Sequence, residues 1–191
     1  MSGFSTARLF GGAITVSLPL AYADVSEIRQ VPDNQEVYLD RDGFTSIIFD
    51  LTERVTDVSS DEAALLYHLS DVTDEDEDGG GAAKIWSSSA ATCSKLPPGT
   101  PAYTLLATTV AATSASSTPT PSAVTGILLT LVRLESQATD VVVTINVPNV
   151  PGNTDDVDIG AGRLGPLLEE ALLMRNRVLE TLDIRDWDLF G

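Results

Sequence analysis

The chain has 191 residues, 43% of them hydrophobic, which is enough for one domain with a buried core. Its 28 acidic and 11 basic residues give a formal charge of −17, which disfavours nucleic acid and anionic membranes as partners and favours a basic protein surface or simple solubility. One cysteine, Cys93, and one histidine, His68, exclude an internal disulfide and cannot supply a structural zinc site.

The first predicted element is a strand in which Ile14, Val16 and Leu18 alternate with polar residues. The apolar stretch 9–20, followed by A-Y-A at 21–23, also fits a signal peptide and its cleavage site. The period of two favours the strand. No run approaches the ~20 apolar residues of a membrane-spanning helix.

The next segment, 24–36, is predicted to be a short helical turn followed by an ordered loop. Asp24 and Glu27 have the spacing of a helix-capping pair, and Pro32 ends the turn. Beyond this loop the chain alternates strand-like runs with turns and polar connections. Strands are predicted at 36–39, 45–51, 82–92, 101–110, 124–134 and 140–147.

Two helices are predicted between and after these strands. Ser59 and Glu62 match a capping box that opens a helix reaching about Asp71. An apolar stripe at helical spacing predicts the second helix over 165–181, with Pro166 in its first turn. The pattern indicates an α+β fold with an antiparallel sheet covered by helices, the strands at 124–134 and 140–147 being central.

Two segments have compositions that cannot bury much surface. Residues 73–81 contain five consecutive acidic residues and three glycines, and residues 112–122 are rich in Ser, Thr and Pro. We expect a single domain, 1–191, with flexible inserts at 73–81 and 112–122. The acidic run lacks the spacing of an EF-hand calcium loop.

No catalytic chemistry is predicted. The chain lacks a G-x-S-x-G elbow, a P-loop and a dinucleotide fingerprint, and Gly11-Gly12 lies where a bulge or close packing is expected. His68 is interpreted as a structural histidine near the helix surface, because no local nucleophile accompanies it. Cys93 lies in a polar loop without flanking cations, so nothing indicates a lowered thiol pKa. No catalytic residue, metal ligand or cofactor site is assigned.

The segment 24–36 is the candidate binding epitope, because a loop restrained by proline presents side chains at low entropic cost. Taken without further information, the same residues are better explained as an ordinary turn. The candidate partner-binding residues are Asp24, Glu27, Arg29, Asp33, Asn34, Gln35 and Glu36.

Several motifs closely resemble the Ran guanine nucleotide release factor family. The likeness runs from the first strand to the last residue. The matching motifs are L-F-G-G-A-I at 9–14, D-V-S-x-I-R at 24–29, V-P-D-N-Q-E-V at 31–37, S-I-I-x-D-L at 46–51, E-A at 62–63 with Y-H at 67–68, D-V-V-V-T-I-N-V-P at 140–148 and L-F-G at 189–191.

The resemblance implies a three-layer α/β/α sandwich around an antiparallel sheet, shared with the extrinsic photosystem PsbP proteins. It implies a non-enzymatic protein, without a cofactor, that binds the small GTPase Ran, promotes guanine nucleotide release and supports nuclear protein import. Asp33 and Glu36 match the family's acidic Ran-binding patch. We expect a monomer in nucleus and cytoplasm, with a second Ran-binding protein as a further partner. The inserts at 74–81 and 112–122 depart from the family's usual lengths.

Three other functions stay open. One is a trafficking adaptor of the same fold with a different protein client. Another is a secreted or organellar PsbP-like protein, which the A-Y-A site would suit. The third is an esterase-like enzyme that pairs His68 with a distant serine.

Overall fold

The structure is a computed structural model that describes residues 3–26, 31–74, 83–110, 124–150 and 158–191. Its longer helices are α1 (Asp61–Asp74) and α2 (Gly165–Thr181). The strands are β1 (Phe4–Leu9), β2 (Ile14–Pro19), β3 (Tyr22–Asp24), β4 (Gln35–Asp40), β5 (Ser46–Glu53), β6 (Lys84–Ala91), β7 (Ala102–Val110), β8 (Val124–Leu134), β9 (Thr139–Val150) and β10 (Asp183–Ile184).

A seven-stranded antiparallel sheet forms the centre of the molecule, with strand order β3-β4-β5-β9-β8-β7-β6. The long apolar strands β8 and β9 occupy its middle, which confirms their predicted central position. A smaller sheet has the order β1-β2-β10, also antiparallel.

Alternate residues of the central strands face two separate cores. Leu129 and Leu131 of β8 pack with Ala64, Leu65 and Leu69 of α1 on one face. The other face of the same strand, including Leu128 and Val132, packs against α2 and the small sheet. The predicted α+β fold, with a helix on each side of an antiparallel sheet, is therefore confirmed.

The region before β2 differs from the prediction, in which the strand around Ile14–Leu18, now β2, is the first one. Residues 4–9 form an additional strand, and Gly11-Gly12 lies in a 3-10 turn of Phe10–Gly12 between β1 and β2. Phe10, Gly11 and Gly12 have φ of 50°, 67° and 95°. The glycines adopt these angles readily, whereas Phe10 is a strained exception.

Helix α1 begins one residue later than the capping box predicts. The side chain of Ser60, not that of Ser59, accepts a hydrogen bond from the backbone N–H of Ala63 at 3.1 Å. The helix extends to Asp74, so the first two residues of the predicted insert at 73–81 are helical. Residues 75–81 and the predicted insert at 112–122 lie outside the described residues.

The interpretation of His68 as a surface histidine is wrong, because its side chain is buried. Its Nε2 lies 3.0 Å from Asp140 Oδ2, and the same oxygen accepts a hydrogen bond from the backbone N–H of Val55 at 3.0 Å. Arg133 donates to Asp140 Oδ1 at 3.1 Å and to Asp61 Oδ1 at 2.6 Å. The apolar periodicity of α1 does not reveal this network, since its partners lie far apart in the sequence.

None of the helices in the described ranges is long and apolar enough to cross a membrane.

Candidate partner-binding groove

An open groove of about 1110 Å³ lies beside the predicted binding loop. It runs from the turn at 10–12 and the loop at 31–36, past the end of β5, to the turn that precedes β9. Its lining residues are Phe10, Gly11, Ser26, Val31, Pro32, Asp33, Asn34, Gln35, Glu36, Leu51, Thr52, Glu53, Arg54, Gln137, Ala138, Thr139, Leu189 and Phe190.

The loop at 31–36 is fastened to β5 by its amide residues. Asn34 Nδ2 donates to Asp50 Oδ1 at 2.9 Å and to the carbonyl of Leu51 at 3.0 Å, while the Leu51 N–H donates to the Asn34 carbonyl at 2.9 Å. Gln35 Nε2 donates to Asp50 Oδ2 at 3.2 Å. These bonds hold the loop in place while the side chain of Asp33 stays exposed.

Glu36 lies half-buried at the start of β4, where its two carboxylate oxygens differ. Oε1 accepts a hydrogen bond from the backbone N–H of Phe10, at the strained turn. Oε2 is buried and has no partner within hydrogen-bond distance among the described residues, although the Tyr38 side chain lies near enough to the carboxylate to help lower its pKa. Burial raises the pKa of Glu36 above its ordinary value; the charge of Asp24 raises it further, and the Phe10 N–H partly opposes the shift.

Asp24 and Ser26 brace the other end of the epitope. Asp24 Oδ1 accepts from the backbone N–H and the hydroxyl of Ser26 at 2.9 and 2.7 Å, as a capping aspartate does. The Ser26 hydroxyl in turn accepts from the Val37 N–H at 2.9 Å. Glu27 and Arg29, also predicted to bind the partner, lie outside the described residues.

The groove combines charge with an apolar floor. Phe10, Leu51, Leu189 and Phe190 are partly buried and pack against the larger core. The acidic lining residues are Asp33, Glu36 and Glu53, and Arg54 is the cation of the lining within the described residues. Such a surface suits a protein partner that presents basic side chains beside an apolar one.

Sequence reasoning places the loop residues in the site but misses most of the groove. Arg54 and the turn at 135–139 carry no motif, and only the fold brings them beside the loop. Phe10 and Phe190 belong to the family motifs L-F-G-G-A-I and L-F-G, a signal that could have marked them as lining residues.

The described residues offer the groove no catalytic group of the kinds considered above. His68 is bonded to Asp140 and does not line the groove. Cys93 is buried, which raises its thiol pKa to about 11 and suppresses the reactive thiolate. Within the described ranges, no group of three or more His, Cys, Asp or Glu side chains could hold a metal ion.

Comparison with known proteins gives consistent matches. The family model described as Ran-interacting Mog1 protein matches residues 7–148. The Ran guanine nucleotide release factor of Danio rerio is 45% identical over 64 residues, which are 34% of each chain, so this match spans about a third of that relative. The probable ran guanine nucleotide release factor of Dictyostelium discoideum is 30% identical over 146 residues, 75% of this chain and 73% of the relative.

A solved structure matches over the full length. The crystal structure of the Saccharomyces cerevisiae Ran-binding protein Mog1p has a TM-score of 0.72 and 28% sequence identity, and the match covers 100% of both chains.

Proposed function

The chain belongs to the Ran-interacting Mog1 family, and we propose from this that it binds a Ran-type small GTPase, promotes release of its guanine nucleotide and supports nuclear protein import. The observation that carries the proposal is the acidic loop at 31–36, held against β5 at the rim of a large groove.

The loop residues have different roles in this proposal. Asp33 and Glu36 supply the carboxylates that meet basic side chains of the GTPase. Asn34 and Gln35 act mainly by holding the loop through Asp50. Asp24 adds a further carboxylate, and Glu27 and Arg29, which lie outside the described residues, stay predicted partner-binding residues.

Nucleotide release follows from coupling between two binding equilibria. Phosphate and magnesium contacts order the switch segments of a GTPase. If the groove binds the nucleotide-free form more tightly than the nucleotide-bound form, the affinity for nucleotide falls by the same factor. The formal charge of −17 attracts a basic partner at long range and speeds the encounter. This mechanism requires no covalent step by the chain.

We further propose that the chain acts as a monomer, in both nucleus and cytoplasm, and that a second Ran-binding protein takes part in the cycle. The expected partners include neither nucleic acid nor a membrane surface.

The test is release of a fluorescent guanine nucleotide from Ran. We expect wild-type chain to accelerate release, and both Asp33→Lys and Glu36→Gln to reduce the acceleration at least about tenfold, because a few residues carry most of the binding energy of an interface. The control is the double variant Asp57→Lys/Glu169→Lys, which reverses two exposed carboxylates that do not line the groove.

Each outcome decides a part of the proposal. If the control variant accelerates nucleotide release as poorly as Asp33→Lys does, the loss comes from the change in net charge and not from the loop. Wild-type chain that neither binds Ran in any nucleotide state nor changes release would contradict the proposed function and favour an adaptor with another client.

A further inference from the structure

The groove has a cationic side chain at the end opposite the acidic loop. We propose, on the basis of the proposed function, that Arg54 pairs with a carboxylate of the bound GTPase, so that the groove recognises a basic and an acidic side chain at once.

The guanidinium of Arg54 has unused hydrogen-bonding capacity. Its backbone N–H donates to the carbonyl of Ala138 at 2.8 Å, which fixes the residue at the end of β5. Its NH2 group lies 3.6 Å from Glu135 Oε1, beyond hydrogen-bond distance, and the Glu135 side chain is 78% exposed. An ion pair this long, in which the carboxylate is mostly exposed to water, contributes little and can be exchanged for a better one.

Unpartnered polar atoms are concentrated in the groove. Among the described residues, three buried side-chain nitrogen or oxygen atoms have no hydrogen-bond partner, and two of them, Glu36 Oε2 and Arg54 Nε, belong to lining residues. Because these two atoms are themselves shielded from solvent, a partner would reach Arg54 through the exposed part of its side chain, which is 22% exposed.

Arg54 and the loop occupy separate positions along the groove. Leu51 hydrogen-bonds to the loop at Asn34, and Arg54 follows three residues later in the chain. At ~3.3 Å per residue, the backbones of Leu51 and Arg54 are about 10 Å apart. The partner must therefore present its basic side chain and its carboxylate to two separate places in the groove.

A carboxylate fits Arg54 better than a nucleotide phosphate does. Arg54 lies next to the exposed Glu53 and near the exposed Glu135. These two charges, together with the net charge of the chain, repel a multiply charged phosphate more strongly than a single carboxylate.

Titration of Ran binding to Arg54 variants tests the pairing. We expect Arg54→Glu to raise the Kd for Ran at least about tenfold, because the new carboxylate would face the carboxylate of Ran. Arg54→Gln, which only removes the charge, should raise the Kd about threefold. The matched control is Arg41→Glu, which makes the same charge change at an exposed residue of the β4–β5 turn, outside the groove. Thermal unfolding of each variant shows whether it is folded. If Arg54→Glu does not fold, the Kd of Arg54→Gln is the measurement that tests the pairing.

A charge exchange identifies the partner residue. Asp→Arg and Glu→Arg variants across the surface of Ran are titrated with Arg54→Glu, and one of them should restore binding while weakening that of wild-type chain. The pairing is contradicted if Arg54→Glu binds as tightly as Arg41→Glu, or if no Ran variant restores it. In both cases Asp33→Lys would still bind Ran more weakly than wild-type chain does. Failure of the proposed function differs from this, because wild-type chain itself would then have no affinity for Ran.

Discussion

Glu36 shows at the scale of one residue that a side chain proposed to bind a partner can lower the stability of the fold. Its Oε1 holds the strained turn at Phe10, and its Oε2 is buried without a partner within hydrogen-bond distance among the described residues. Burial raises the pKa of Glu36, so the folded chain binds its proton more tightly than the unfolded chain does. Stability linked to this group is therefore greatest below the unfolded pKa and falls as pH rises through the folded pKa.

Replacing Glu36 by glutamine should stabilise the fold while weakening Ran binding. At pH 8 the wild-type carboxylate is charged, and removing that charge should raise Tm by about 2–4 °C, equivalent to roughly 1 kcal/mol. The gain should shrink at pH 4, where the wild-type group is protonated. Thermal unfolding of both proteins at the two pH values is the measurement; a glutamine variant less stable at pH 8 would contradict the assignment.

Asp140 presents the opposite case, a buried carboxylate with many partners. Burial alone raises its pKa, but hydrogen bonds from His68, the Val55 N–H and Arg133, with the charge of Arg133, outweigh burial and hold the pKa below its ordinary value. Its stabilising contribution is present above the unfolded pKa and is lost as pH falls through the folded pKa.

The variant Asp140→Asn should destabilise the chain by about 3 kcal/mol, because it leaves the buried Arg133 with only the partly exposed Asp61 as a charge partner. Urea unfolding at neutral pH measures this loss, with Asp57→Asn at an exposed position as the control. A loss below about 1 kcal/mol would mean that the network contributes no more than surface pairs do.

At the scale of elements, the N-terminus of α1 shows the limit of motif reading. Serine is a common capping residue, and both Ser59 and Ser60 precede acidic residues. Only the structure identifies Ser60 as the residue that accepts the hydrogen bond from the Ala63 N–H. Ser60→Ala should lower the free energy of unfolding by about 1 kcal/mol. Ser59→Ala should change it by less than about 0.5 kcal/mol, as an ordinary surface substitution does. Urea unfolding of the two variants distinguishes the assignments, and equal losses would contradict the cap at Ser60.

The elements that the sequence predicts well share a strong local signal. The spans of β8 and α2 match their predictions because long apolar runs and a helical stripe leave few alternatives. The hairpin of β1 and β2 is missed because residues 4–8 alternate weakly and are mostly exposed. The burial of His68 is missed because its partner is 72 residues away in the chain.

At the scale of the whole molecule, the fold collects distant segments around one groove. The loop at 31–36 is predictable from its own sequence and from the family motifs. The other walls come from β5, the turn at 135–139 and Leu189–Phe190, whose proximity depends on the pairing of β5 with β9 and on the packing of the final turn. Local sequence patterns do not encode such proximity, so only the structure identifies Arg54 as a residue of the groove.

The central claim is that this groove is the surface that binds the GTPase, and amide hydrogen exchange of the chain with and without nucleotide-free Ran tests it most directly. The account predicts that binding slows exchange at 33–36, 52–54 and 137–139, while the outer face of α1, which carries the exposed Leu66 and Tyr67, is unchanged. Protection confined to α1, with the loop and the end of β5 unaffected, would contradict it.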